Sequence, residues 1–139
     1  MTSNTTPEGI VSASAYDSGY PAWHAFDRDA STVWNERATK PKWIDYEFDT
    51  SIPIARMYFK FYNLDKNYLE DTAVELFGSN DGVSYTSIKQ ISNADLTAEY
   101  TTDFPLTASY KHYRLYIYCA VYHNLFGFHE VQFYGREDV

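Results

Sequence analysis

Short stretches of this chain set apolar residues at every second position, and that period constrains the fold more than any other feature. Ile44, Tyr46 and Phe48 alternate with Asp45 and Glu47, and Met57, Phe59 and Phe61 alternate with Arg56, Tyr58, Lys60 and Tyr62. The period returns at Tyr113, Leu115, Ile117 and Cys119, interleaved with His112, Arg114, Tyr116 and Tyr118. It returns again at Val131 and Phe133, flanked by Gln132 and Tyr134. Successive side chains of a strand point to opposite faces, so each run reads as a strand with one buried face. Turn residues separate the runs. Gly78-Ser-Asn-Asp-Gly82 holds residue types that accept a positive φ, and Pro53 and Pro105 stand ahead of apolar stretches, where strands begin. No window carries an amphipathic helix of more than about three turns, and only residues 94–100 suggest a short helical turn. Several strands with almost no helix predict an all-β fold, an antiparallel β-sandwich or barrel.

A chain of 139 residues makes one domain, with residues 1–8 read as a flexible polar start and residues 9–139 as the folded unit. A domain this long buries enough surface to need no disulfide framework. Its one cysteine, Cys119, shares a face with Leu115 and Ile117, where an inert buried thiol is expected. Aromatic residues make up 19% of the chain, more than so small a core holds, so part of that ring surface must face outward. The net charge of −8 argues against nucleic acid and against anionic lipid as partners, leaving neutral glycans or cations. No apolar run reaches the length of a transmembrane segment, and the first residues lack the apolar stretch of a signal peptide. An excised extracellular domain and a component of a particle released by lysis, such as a phage, both remain open.

Asp27, Asp29 and Thr32 sit close together between Trp23 and Trp34, where the alternation lapses. The residues alone leave two readings. One is a solvated Asp-rich turn; the other is a tight loop turning carboxylate, hydroxyl and carbonyl oxygens inward, the hard ligands calcium takes. The spacing is not that of a helix-loop-helix calcium hand, whose glycine and terminal glutamate are missing.

Seven segments then appear in order. They are Val11-Ser-Ala-Ser14, Tyr20-Pro-Ala-Trp-His-Ala-Phe-Asp27, Ser31-Thr-Val-Trp34 and Pro41-Lys-Trp-Ile-Asp-Tyr-Glu-Phe48. Val74-Glu-Leu-Phe-Gly-Ser-Asn-Asp-Gly-Val-Ser-Tyr85, Tyr113-Arg-Leu-Tyr116 and Phe128-His-Glu-Val-Gln-Phe-Tyr-Gly135 follow. Together they resemble a coagulation-factor type C (F5/8 type C, discoidin-like) domain, and within it the bacterial family 32 carbohydrate-binding branch. The resemblance implies a jelly-roll sandwich of the galactose-binding-domain-like kind, with one structural calcium ion. It implies as ligands the Asp27 carboxylate, carbonyls of His24 and Asp29, hydroxyl and carbonyl oxygens of Thr32, and Glu130. The family usually has glycine where Arg28 stands.

The resemblance also implies that loops at one end form a shallow pocket for a terminal sugar, galactose or a related unit. The candidates are Tyr20, Glu36, Arg37, Asn63, Tyr122, His123, Asn124 and Phe126. Phe126 and Tyr122 would wall the sugar's C–H face while the polar residues bond its hydroxyls. The plainer alternative packs Phe126 in the core and leaves the rest as solvated loop residues. Trp34 and Trp43 are expected in the core. Outward Tyr58, Tyr116 and Tyr118 suit either a second contact surface or cross-strand packing.

Catalysis is not expected. His129-Glu130 lacks the second histidine of a zinc-binding helix, no Gly-x-Ser-x-Gly elbow occurs, and Asp45 and Glu47 are read as lying on a solvated face. The expectation is a lectin-like, non-catalytic glycan-binding module of a larger protein or assembly, extracellular, cell-surface or virion-associated. The alternative is a cell-surface or phage-tail adhesion module for a protein or lipid receptor.

Overall fold

The alternating runs become strands. The computed structural model describes residues 9–36, 41–119 and 126–135. The segment expected to be flexible, residues 1–8, lies outside the described residues. In chain order the strands are β1 (Ile10–Ala13), β2 (Trp34–Glu36), β3 (Lys42–Ile52), β4 (Arg56–Tyr62) and β5 (Leu69–Ser79). β6 (Thr86–Ser92), β7 (Glu99–Asp103), β8 (Tyr110–Cys119) and β9 (Phe126–Tyr134) follow. Two antiparallel sheets result, ordered β1-β3-β8-β5-β6 and β2-β9-β4-β7. Residues 94–100 form no helix. A turn over Asn93–Asp95 leads into β7, and the short 3-10 turns fall at Ala22–Phe26 and Lys66–Tyr68.

The sheets face each other across an apolar core. One inner face supplies Val11, Ile44, Val74, Leu76, Tyr113, Leu115, Ile117 and Cys119, and the other supplies Trp34, Met57, Phe59, Phe61, Phe126, Phe128 and Val131. Phe128 is the hub of the aromatic part, with ring centroids 4.9 Å from Phe61, 5.3 Å from Phe59 and 5.9 Å from Trp34. Such rings bring apolar area together with tilted and stacked ring contacts. Trp43 departs from expectation: it stands on the outer face of β3, half-buried, with the Arg114 guanidinium 3.7 Å from its ring centroid.

Candidate ligand and cation site

The loop after the first 3-10 turn is folded by its own carboxylates. Asp27 Oδ1 accepts from Asp29 N at 2.9 Å, and Asp29 Oδ1 accepts from Ser31 N at 2.9 Å and Ser31 Oγ at 2.6 Å. Those hydroxyl and amide donors hold the Asp29 carboxyl below the usual carboxylate range. Arg28, at φ 62, makes the left-handed step that glycine takes more readily. The consequence is a cluster of oxygens around Thr32 Oγ1, with Asp27 Oδ2 at 2.6 Å, Asp29 O at 2.8 Å and His24 O at 3.3 Å. One hydroxyl carries one proton. Three acceptors crowd a single donor.

Glu130 reaches this cluster from β9 because of a bulge. Lys60 pairs with Glu130 while Phe61 pairs with Phe128, so His129 is an extra residue in β9. Bulges of this kind re-aim side chains. His129 Nδ1 donates to Thr32 O at 3.2 Å, which ties the loop to the strand. Glu130 Oε1 is buried without a hydrogen-bond partner. Burial, and then the neighbouring Asp27 carboxylate, push its carboxyl up to about 7, with Arg28 opposing. Among the described residues no three His, Cys, Asp or Glu side chains converge, so a cation here would have to draw on hydroxyl and main-chain oxygens beside the Asp27 and Glu130 carboxylates. Two carboxylates, a hydroxyl and main-chain carbonyls are all hard oxygens, and the buried unpartnered oxygen faces a deficit that a hard cation would fill.

The strand register brings three loops to one end. Glu36 pairs with Phe126, and Tyr62 with Gly127, so the chain leaves β2, enters β9 and leaves β4 side by side. In the other sheet, Lys42 pairs with Ile117 and Leu69 with Cys119, at the same end. The approach of β2 to β9 needs Gly127, whose Cβ would stand 1.7 Å from Trp34 O. Asn63 is exposed at φ 60, and Tyr20 is exposed on the segment that Asp17 N ties to Asn35 O at 2.9 Å. Arg37, Tyr122, His123 and Asn124 lie outside the described residues. Two candidates are corrected. Phe126, 1% exposed, is packed in the core, because alternation with Phe128 turns both rings inward. Glu36 is fully buried, its carboxylate 2.7 Å from Lys42 Nζ, so it braces the loop base from inside.

The profile of the F5/8 type C domain matches residues 9–117 of this chain. The chain belongs to that family. Solved structures similar to it include a pectin-binding carbohydrate-binding module, at 23% identity and TM-score 0.71, covering 94% of this chain and 92% of that one. Chitosan-binding module 1 of a chitosanase/glucanase from Paenibacillus sp. IK-5 is 20% identical at TM-score 0.74, with 95% and 98% covered. A family 32 module of Clostridium perfringens in complex with GalNAc-β-1,3-galactose is 20% identical at TM-score 0.73, with 91% and 95% covered. No curated protein matches the chain in sequence.

This F5/8 type C domain carries a further network that alternation alone misplaced. Asp45 was read as solvated, yet it is 1% exposed on the outer face of its sheet. It accepts from Tyr85 OH at 2.6 Å, His112 Nδ1 at 2.9 Å and Arg114 Nε at 3.0 Å. Arg114 in turn lies between the Trp43 and Tyr85 rings, 3.7 and 4.4 Å from their centroids. Only the pairing of Asp45 with Arg114 across β3 and β8, plus the β5–β6 hairpin that delivers Tyr85, creates that roof. Burial, and then the bond to Asp45, raise the Tyr85 phenol well above its ordinary value.

Proposed function

We propose that this F5/8 type C domain is a non-catalytic carbohydrate-binding module. It recognises glycans, galactose-type or related terminal sugars, through the loops at one end of a calcium-stabilised sandwich. The observation that carries the reading is the register that starts or ends three loops side by side, at Glu36, Tyr62 and Phe126, in a chain of this family. Structures resembling it over most of its length are named for pectin and chitosan, or hold GalNAc-β-1,3-galactose. Rigid sheets presenting polar and aromatic loops suit a sugar, whose hydroxyls need oriented partners and whose C–H face needs an apolar wall.

Calcium would be held by the Asp27 and Glu130 carboxylates, the His24 and Asp29 carbonyls and Thr32. When bound, the ion would supply positive charge where the buried Glu130 carboxylate and the half-buried Asp27 carboxylate crowd each other. Its role would be structural: it would pin the loop before β2 to β9, about 10 Å along the strand from Phe126, three strand rises with the extra residue at His129 left out. The module serves a larger extracellular, cell-surface or virion-associated protein. A shallow site makes few buried contacts, so single-site affinity falls between about 10 μM and 1 mM, and repetition in an assembly raises it.

A glycan array with calcium or with a chelator, followed by calorimetry on the hits, tests the reading. Binding of terminal galactose or N-acetylgalactosamine glycans, weakened by Asn63→Ala with the fold intact, is the expected result. Silence across all saccharides refutes it.

A further inference from the structure

Next to the loop end, the outer face of the five-stranded sheet holds a hollow walled by strand residues of β5, β6 and β8 rather than by the three loops. Its origin is a mismatch between strands. Leu69 pairs with Cys119 and Val74 with Ile117, so β5 advances from 69 to 74 while β8 covers only 119 to 117. The surplus chain bulges away from β8 and leaves a cleft of about 600 Å³ lined by Glu70, Asp71, Thr72, Glu75, Gln90 and Tyr118. A bulge next to a hollow is a recurrent way to present side chains to a ligand.

One wall of the cleft is aromatic and fixed. The Tyr118 ring lies 5.9 Å from that of Tyr116, the two planes within 10° of parallel, and Tyr116 meets Phe77 edge-on at 5.3 Å. Tyr118 OH donates to Glu75 Oε1 at 2.7 Å. The other oxygen of Glu75 accepts from Ser87 Oγ at 2.6 Å and Gln90 Nε2 at 3.2 Å. Burial, and then that bond to Glu75, raise the Tyr118 phenol well above its ordinary value, so it stays a donor. A ring and a carboxylate already locked in place lose little freedom when a ligand arrives.

The lining chooses the ligand's charge. It includes Glu70, Asp71 and Glu75 and no basic residue. A neutral pyranose would gain the ring but give the carboxylates no counter-charge, and a uronic acid would be repelled. A sugar with a free amine satisfies both walls: its C–H face packs on Tyr118, and its ammonium meets the carboxylates and the ring quadrupole. We infer that this hollow is a second saccharide site, selective for glucosamine-type units carrying a free amine. The inference rests on the reading of the domain as a saccharide binder and adds a site and a charge preference to it.

The test is an amide NMR titration of the intact domain with the β-1,4 glucosamine trimer, its amines charged, against the fully N-acetylated trimer. Glu70→Gln with Asp71→Asn neutralises two exposed side chains and leaves the Tyr118–Glu75 wall in place. Shifts centred on Thr72, Gln90 and Tyr118 are expected. Affinity for the amine trimer should fall about fivefold in the double variant, the size expected from two exposed ion pairs. Affinity for the acetylated trimer should not change. Equal affinity of wild type and variant for the amine trimer overturns the inference, as do shifts confined to Asn63, Gly127 and the loops beside them. A neutral glycan bound at that end, with no response to the amine trimer, overturns it too and leaves the proposed function standing. Failure to bind any saccharide sinks both.

Discussion

Glu130→Gln should change the sign of its effect on stability when calcium is added. Without metal, the wild-type chain keeps a buried carboxylate with one unpartnered oxygen beside Asp27. Replacing it with an amide removes one of two crowded charges and supplies a donor, a gain on the order of 1–2 kcal/mol for a buried group of this kind. With metal, the wild type gains RT ln(1 + [Ca²⁺]/Kd), about 2.7 kcal/mol at a hundredfold excess over Kd and about 4.1 at a thousandfold. Each kcal/mol moves the midpoint by about 3–4 °C for a domain near this size. The wild type should therefore rise by about 10 °C between chelator and millimolar calcium. The variant should start about 3–8 °C above the wild type in chelator and gain little from the ion. Differential scanning calorimetry of both proteins in both buffers reads the crossing directly. Parallel curves, or a wild type indifferent to calcium, would refute the argument that the loop oxygens and Glu130 enclose a cation.

Other consequences follow from the same geometry. Lys42→Met removes the ammonium 2.7 Å from the fully buried Glu36 carboxylate and should cost about 3–5 kcal/mol by urea unfolding, most of it recovered when Glu36→Leu is added. Gly127→Ala puts a Cβ 1.7 Å from Trp34 O, so β2 must part from β9; loss of the folded amide spectrum or a midpoint drop of more than about 10 °C is expected. Tyr85→Phe removes a hydroxyl donor from the buried Asp45 and should cost about 1–3 kcal/mol in the same urea assay. Alkaline pH should destabilise the domain. Tyr58 is raised to about 12 by burial and its bond to Glu99, and Tyr85, Tyr113 and Tyr118 are raised by burial. The folded chain then holds more protons than the unfolded one above about pH 10. Stability is intact below that pH and falls as pH climbs toward 12, which circular dichroism alongside phenolate absorbance will follow.

The sequence determined which face of most strands would be buried. Alternation is covalent and local: once a run such as Met57-Tyr-Phe-Lys-Phe61 is extended, its apolar side chains share one side, and those residues do line the core. The same logic set Cys119 beside Leu115 and Ile117. That residues 27–32 form a tight turn was legible too, because six consecutive residues fold on themselves through their own hydrogen bonds, while the residues alone left a solvated turn and an inward loop of oxygens both open.

Tertiary structure decided whatever depended on a neighbour from another strand. Alternation says that Asp45 points away from the core, but not that Tyr85, His112 and Arg114 roof it over. Nor does it say that Trp43 would lie beneath Arg114 on the outside rather than in the core. Phe126 and Glu36 read as surface candidates because they flank loops, yet their pairing at the β2–β9 junction draws both side chains inside. The extra residue at His129 aims Glu130 at Asp27, and the surplus in β5 opens the hollow beside Tyr118. Register and bulges are set by how whole strands fit against each other, a property of the assembled sheets that no single stretch of chain contains.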